Sequence, residues 1–291
     1  MKKRPLVFVI INYNDAKTTE KLLNNVKDYK SISKIIVVDN HSSDDSYQVL
    51  KKWEQEHIKV ICTEENKGFS HGLNAGCKEA VSIYPVCDII LSNADITIYS
   101  DENLKELQEA SKKKEIGVLG PVVCQGKEIS RGWKVPTPKQ SVFMNLPVIG
   151  RKLEKKYTTY PEEHYQKDLS YVDAVSGCFF LIKSEVLKEV GYFDEHVFLY
   201  YEENILACKL KKTPYKVAVY NPVLILHDHS VSVDKNMNYI KKFKILKQSQ
   251  YYFEEKYNQA SKMQLRFLKW FGKLTLGTIY IRVFLKGGLR K

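Results

Sequence analysis

Three polar side chains each close an apolar run of this chain: Asp39 ends KIIVVD, Asp95 follows DIILSNA, and His227 ends VLIL. Runs of this kind form strands. The carboxyl edge of an open α/β sheet is where loops part to leave a ligand crevice. One such residue alone could serve a turn or a helix cap, but three on one edge point to a site. In Ser92-Asn93-Ala94-Asp95 a carboxylate stands beside an amide and a hydroxyl, which suits a hard cation such as Mg2+ or Mn2+ bridging a diphosphate.

Two further segments carry chemistry. In Asn66-Lys-Gly68-Phe-Ser-His-Gly72-Leu-Asn74-Ala-Gly76 the glycines allow close backbone approach, and the segment runs into a helix start that favours anions. Glycines four apart also suit helix packing, and the spacing leaves both readings open. In Gly191-Tyr-Phe-Asp194-Glu195 and Phe198-Leu-Tyr-Tyr-Glu202-Glu203, paired acids open a helix, where the dipole stabilises them. Among aromatic neighbours one of them could act as a general base with a displaced pKa.

These residues need a scaffold, and the pattern supplies one. Apolar, β-branched runs at Leu6–Ile11, Lys34–Val38, Ile58–Cys62, Asp88–Leu91 and Ile116–Val123 predict strands. Amphipathic stretches at Lys17–Lys27, Asp44–Glu56, Gly72–Val81 and Glu102–Lys113 predict helices between them. Continuous apolar strands alternating with helices describe a mainly parallel sheet covered on both faces. From Lys127 to Leu169 the pattern loosens, with prolines and a basic stretch at Arg151–Lys156, and reads as a long loop or an acceptor-side insertion. Regular structure resumes at Tyr171–Ile182, with helices at Ser184–Val190 and Tyr201–Lys212 and a strand at Lys216–Leu226.

Composition narrows the partners. The chain has 291 residues and a formal charge of +12, from 46 Lys and Arg against 34 Asp and Glu. Such an excess calls for an anionic partner; the basic residues are spread through the chain, and the tail is especially basic with almost no acids. Met263–Lys291 mixes aromatics with lysines, and charges interrupt its apolar run, so it predicts a helix lying in a membrane interface rather than a spanning one. A helix packed on the domain, or pairing two subunits into a homodimer, is the competing reading. The six cysteines are scattered, with no CxxC, and predict buried reduced thiols of a cytosolic protein. The start, MKKRPLVFVIINYN, has too short an apolar run for a signal peptide and reads as a first strand.

Taken in order, IINYN, VVDNHSSD, ENKGFSHGLNAG, SNAD, SGCFFLIKSEVLKEVGYFDE, FLYYEENIL and NPVLILHDHS resemble family-2 glycosyltransferases of the GT-A fold. Bacterial rhamnosyl-, glucosyl- and galactosyltransferases of surface-polysaccharide synthesis look most similar. The resemblance runs from Leu6 to about Ser232. It implies a GT-A domain over 1–235 and a helical C-terminal extension over 236–291. Asn12, Tyr13 and Asp39 then match the nucleobase pocket, and Asn66, Gly68, Phe69 and Asn74 the ribose and diphosphate segment. Asn93 and Asp95 match the Asp-x-Asp metal motif with Asn in its first place, and His227 matches a histidine that completes the Mn2+ or Mg2+ site. Gly177 lies in the acceptor-side loop. Glu202 and Glu203 match the Glu-Asp pair whose second member is the usual base, here Glu where Asp is commoner, and Ile205 stands where a further acid often lies.

The resemblance implies an inverting transferase using a UDP- or dTDP-sugar and a polyprenyl-diphosphate-linked or polysaccharide acceptor. It would work in the cytoplasm at the inner face of the cell membrane. The depleted metal motif keeps a catalytically impaired nucleotide-sugar or glycan-binding protein as the alternative. A nucleotidyltransferase lacks support because no glycine-rich, lysine-bearing loop follows the first strand. No nucleic-acid partner is expected, because no aromatic-basic stripe appears outside the tail.

Overall fold

A computed structural model describes residues 4–228 and 239–288. His229 and Ser230 of the last motif, and the chain ends, lie outside the described residues. Among those described, one sheet of ten strands organises the molecule. They are β1 (Leu6–Asn12), β2 (Lys34–Asp39), β3 (Ile58–Cys62), β4 (Asp88–Asn93), β5 (Ile96–Thr97), β6 (Ile116–Gln125), β7 (Glu128–Ser130), β8 (Leu169–Val172), β9 (Phe179–Lys183) and β10 (Lys216–His227). The order is β3-β2-β1-β4-β9-β6-β10-β5, with β7 beside β6 and β8 beside β10. The first four strands pair in parallel, β9 runs antiparallel between β4 and β6, and β10 is parallel to β6.

β1 is apolar from Leu6 to Ile11 and buried on both sides. Leu6, Phe8 and Ile10 enter one core, and Val7, Val9 and Ile11 enter the other. The first core is closed by α1 (Ala16–Val26), α2 (Ser46–Lys51) and α4 (Asp101–Ala110) through Leu22, Leu23, Leu50, Leu104 and Leu107. The second is closed by α3 (Phe69–Ile83), α7 (Ser184–Glu189) and α8 (Glu202–Leu210) through Leu73, Cys77, Val186, Leu187 and Leu206. Each fully buried aliphatic chain contributes roughly 1.5–3 kcal/mol. The N-terminal segment is pinned by Arg4, which bonds Asp88 at 2.9 Å and Glu185 at 2.8 Å.

The mainly parallel, helix-flanked sheet agrees with the sequence reading, and four local expectations change. The helix expected over Asp44–Glu56 stops at Lys51, because the chain turns and Gln55 bridges Ile58. α3 begins at Phe69 rather than Gly72. The segment read as a loop carries α5 (Pro138–Met144) and α6 (Gly150–Thr158), with a 3-10 turn at Glu162–Tyr165. Pro138 there opens a helix instead of breaking one, since Thr137 and Gln140 cap each other around it. All six cysteines are unpaired, but Cys62 is exposed, while Cys77, Cys87 and Cys178 are buried.

After residue 238 come α9 (Tyr239–Lys256) and α10 (Lys262–Gly288). The two pack on each other, and α10 also rests on α5. Leu265, Leu268 and Ile279 face inward, whereas Phe267, Trp270 and Leu274 remain 45, 54 and 42% exposed. The tail is therefore packed on the domain and also presents an apolar stripe. Among the described residues no helix is long and apolar enough to cross a membrane.

Candidate active site

The carboxyl edge of the sheet opens into a cavity of about 660 Å³. Its first wall is the end of β4. Asn93 and Asp95 line it, and the Asn93 amide is anchored to the Cys178 carbonyl at 2.8 Å. Opposite Asp95, the end of β10 pairs antiparallel with β5, His227 opposing Ile96, and the Asp228 amide donates to the Asp95 carbonyl at 2.8 Å. That short ladder brings His227 to Asp95.

Asp95 Oδ1 and His227 Nε2 lie 3.2 Å apart, yet both are buried without a hydrogen-bond partner. They stand at ion-pair distance without forming a hydrogen bond. Two ligands of one octahedral cation at ~2.1 Å stand about 3 Å apart, so the pair fits a shared Mn2+ or Mg2+. Among the described residues no third His, Cys, Asp or Glu completes a cluster. The remaining ligands would then be diphosphate oxygens and water, the usual way such cations are held. Burial alone would lower the His227 pKa, but the Asp95 and Cys178 side chains outweigh it and raise it to about 10.

The second wall is the turn at Asn66–Phe69. Gly68 sits at φ +108°, and a Cβ there would lie 2.2 Å from the Phe198 carbonyl oxygen, so only glycine fits. Asn66 accepts from the Gly68 amide at 3.0 Å, Asn40 donates to the Gly68 carbonyl at 2.9 Å, and the Phe69 amide donates to Phe198 at 2.8 Å. Gly72 and Gly76 do not line the cavity. A Cβ on Gly76 would meet Val9 at 2.3 Å, so these two let α3 settle on the sheet.

The third wall is the start of α8, reached through Tyr200 and Tyr201, which both hold left-handed backbone at φ +74° and +73°. Such consecutive strain costs of order 1–3 kcal/mol per residue and collects at functional sites. It turns Glu202 and Glu203 into the cavity. Glu203 Oε1 accepts from the Gly177 amide at 3.0 Å. Glu202 is 6% exposed, and its Oε1 has no partner. Burial, then the charge of Glu203, pushes Glu202 up to about 8, and burial raises Glu203 as well. A carboxylate shifted toward neutrality is suited to accept a proton.

Of the residues to which the family resemblance assigns a site role, Tyr13, Asn66, Gly68, Phe69, Asn93, Asp95, Glu202, Glu203, His227 and Gly177 line this cavity. Three do not. Asn12 and Asp39, opposed in the β1–β2 register, are buried beneath it. Asp39 accepts from Asn12 Nδ2 at 2.8 Å and from the Ser42 amide and hydroxyl at 2.8 and 2.7 Å, so its oxygens hold the loop together. Asn74 is turned away, bonding the Phe193 backbone and Glu195 Oε1. Asp194 is filled by donors and is not a proton acceptor here.

Sequence reasoning missed the far wall, built by Trp133, Pro136, Met144, Glu154, Thr158 and Leu246. Only Trp133 carried a signal, a large ring with a polar handle in an otherwise unreadable segment. Its Nε1 donates to Asn204 at 2.8 Å.

The sequence profile described as Glycosyl transferase family 2 matches residues 7–191. The chain belongs to glycosyl transferase family 2. Among curated relatives, this glycosyltransferase is 23% identical over 227 residues to the low-salt glycan biosynthesis hexosyltransferase Agl10 of Haloferax volcanii, covering 78% of this chain and 68% of that one. It is 25% identical over 190 residues to a poly-beta-1,6-N-acetyl-D-glucosamine synthase of Staphylococcus epidermidis, covering 64% of this chain and 41% of the synthase. The glycosyltransferase thus spans less than half of that relative. In fold it is similar to a mannosyltransferase of Pyrobaculum calidifontis solved with GDP-Man and Mn2+, with TM-score 0.58, 16% identity and coverage of 94 and 70% of the two chains. The TarS 1-349 structure of S. aureus gives TM-score 0.54, 16% identity and coverage of 87 and 72%. These likenesses establish the GT-A fold.

Proposed function

We propose that this glycosyltransferase moves a sugar from a UDP- or dTDP-sugar to a hydroxyl of a lipid-linked or polysaccharide acceptor, with inversion, in glycan or polysaccharide synthesis. One observation carries the reading. The orphaned Asp95–His227 pair and the displaced Glu202–Glu203 pair face one cavity from different walls.

Glu203 is the proposed base, and Glu202 its rival. Glu203 takes the acceptor hydroxyl's proton as that oxygen bonds the anomeric carbon from the side opposite the diphosphate. The anomeric carbon–oxygen bond breaks, and the nucleoside diphosphate leaves with the electron pair. The Gly177 amide orients the carboxylate and burial keeps its proton affinity high, while the charge of Glu203 in turn holds Glu202 protonated. A divalent cation held by Asp95 and His227 would neutralise charge growing on the departing diphosphate. Tyr13, Asn66, Gly68, Phe69 and Asn93 are the donor-side contacts, and Asp39 with Asn12 supports them from below. Trp133 and the α5–α6 wall face the acceptor.

The exposed stripe of α10, flanked by Arg266, Lys269 and Lys273, supports contact with an anionic membrane face, where a lipid-linked acceptor would be held. The defining experiment is a thermal-shift panel of nucleotide sugars with and without Mn2+, followed by detection of released nucleoside diphosphate. A donor that raises the midpoint only with Mn2+ and is then turned over supports transfer. Stabilisation without turnover under any acceptor would leave a binding protein instead.

A further inference from the structure

Helix α9 lies beyond the family-matched residues 7–191, yet it grips the segment that delivers the proposed base. Between α7 and α8 the chain runs through Asp194 to the strained Tyr200–Tyr201 turn. Asp194 Oδ2 accepts from the Tyr252 hydroxyl at 2.9 Å and from the Tyr257 hydroxyl, and Oδ1 accepts from the His196 amide at 2.9 Å. The His196 ring, at 2.7 Å from Oδ1, stacks on Tyr252. Nearer the turn, the buried Ser249 hydroxyl donates to the Leu199 carbonyl at 2.7 Å. Phe253, fully buried, packs on Tyr201, Val197 and Ile205. The loop is therefore held to one helix face at 194, 197, 199 and 201.

Burial by itself would raise the Asp194 pKa, but the tyrosine and His196 donors hold it down at about 2, so the carboxylate stays charged and keeps its bonds. Such a tether has a task. Two non-glycine residues in left-handed backbone persist only where surrounding contacts over-determine them. Released, Tyr200 and Tyr201 would relax, and Glu203 would swing away from the Gly177 amide.

We propose that Asp194, through Tyr252 and Tyr257 of the α9 region, is a positioning residue that keeps Glu202 and Glu203 aimed at the reacting hydroxyl, which makes α9 part of the catalytic apparatus. This rests on the Glu203 reading above. The donor-side residues Asn93, Asp95 and His227 sit on other elements, whereas Gly68 and Phe69 meet the tethered loop at Phe198.

The test uses the full chain with Asp194→Asn and, as a milder variant, Tyr252→Phe with Tyr257→Phe. Misplacing a reacting group by about 1 Å costs on the order of 10²-fold in rate, so kcat for donor turnover should fall by roughly that factor. Donor KM should change less than kcat, because Asn93, Asp95 and His227 keep their places. Hydrogen exchange at amides 198–203 should accelerate in both variants, and this readout requires no turnover. Inactive wild-type protein would refute the function proposed above, while exchange would still report on the tether. Unaltered exchange, or an undiminished kcat in the folded tyrosine variant, overturns the inference. So does a donor KM that rises as steeply as kcat falls.

Discussion

Gly177 and Glu203 fit each other as a pair. The Gly177 amide donates to Glu203 Oε1 at 3.0 Å, and a Cβ on the same residue would lie 2.4 Å from that oxygen. Gly177→Ala must therefore displace the carboxylate or the loop. We expect kcat to fall on the order of 10²-fold, with a stability loss within the ~1–3 kcal/mol usual for overpacking. Turnover measured beside a thermal melt checks this. Equal turnover would show that the amide does not orient a working base.

Removing the base itself should be more severe. General-base catalysis is worth ~10²–10⁴-fold, so Glu203→Gln should lose turnover in that range while retaining nucleotide binding by calorimetry. Glu202→Gln should lose less, because Glu202 is held protonated and only Glu203 meets the Gly177 amide. Wild-type rates in both variants would remove the pair from the mechanism.

The pH dependence has a defined sign. Glu202, raised to about 8, stays protonated in the folded chain where the unfolded chain has released that proton. The folded state then binds more protons, so stability falls as pH rises from the ordinary carboxylate range toward 8. Glu202→Gln holds no such proton. Its Tm should gain on wild type as pH climbs from ~5.5 to ~8.5. A constant difference across that range would mean that Glu202 is not shifted. Loss of activity on acidification should likewise set in above the ordinary carboxylate range, since burial raises Glu203 too.

Cation dependence should trace to Asp95 and His227. Saturating Mn2+ with donor should stabilise wild type by about 2.7 kcal/mol at a hundredfold excess over Kd. Chelation should abolish that gain. Asp95→Asn and His227→Ala should each lose most of it without loss of folding, because Asp95 Oδ1 and His227 Nε2 make no hydrogen bond in the fold. A full Mn2+ shift in either variant would place the cation elsewhere.

The α10 stripe predicts vesicle binding that Phe267→Ser with Trp270→Ser weakens at least tenfold, since removing two large apolar side chains forfeits several kcal/mol of interfacial burial. Cosedimentation with anionic vesicles reads this out. Equal sedimentation of variant and wild type would leave the stripe to protein contacts.

Strand periodicity and strand-end polar residues are local properties, so the sequence alone determined the doubly covered sheet, the placing of Asp95 and His227 at its carboxyl edge, and the acid pair opening α8. Residue type does not say which way a side chain is used. Asp39 is spent on Asn12 and Ser42, and Asn74 on Phe193 and Glu195, because neighbouring strands and loops offered donors that no local pattern reveals. The meeting of His227 with Asp95 depended on a two-residue ladder between β10 and β5. The fit of Gly177 under Glu203, the tether from α9 and the far wall from α5 and α6 were likewise decided by packing between distant segments. Those contacts exist only once the chain has closed around the cavity.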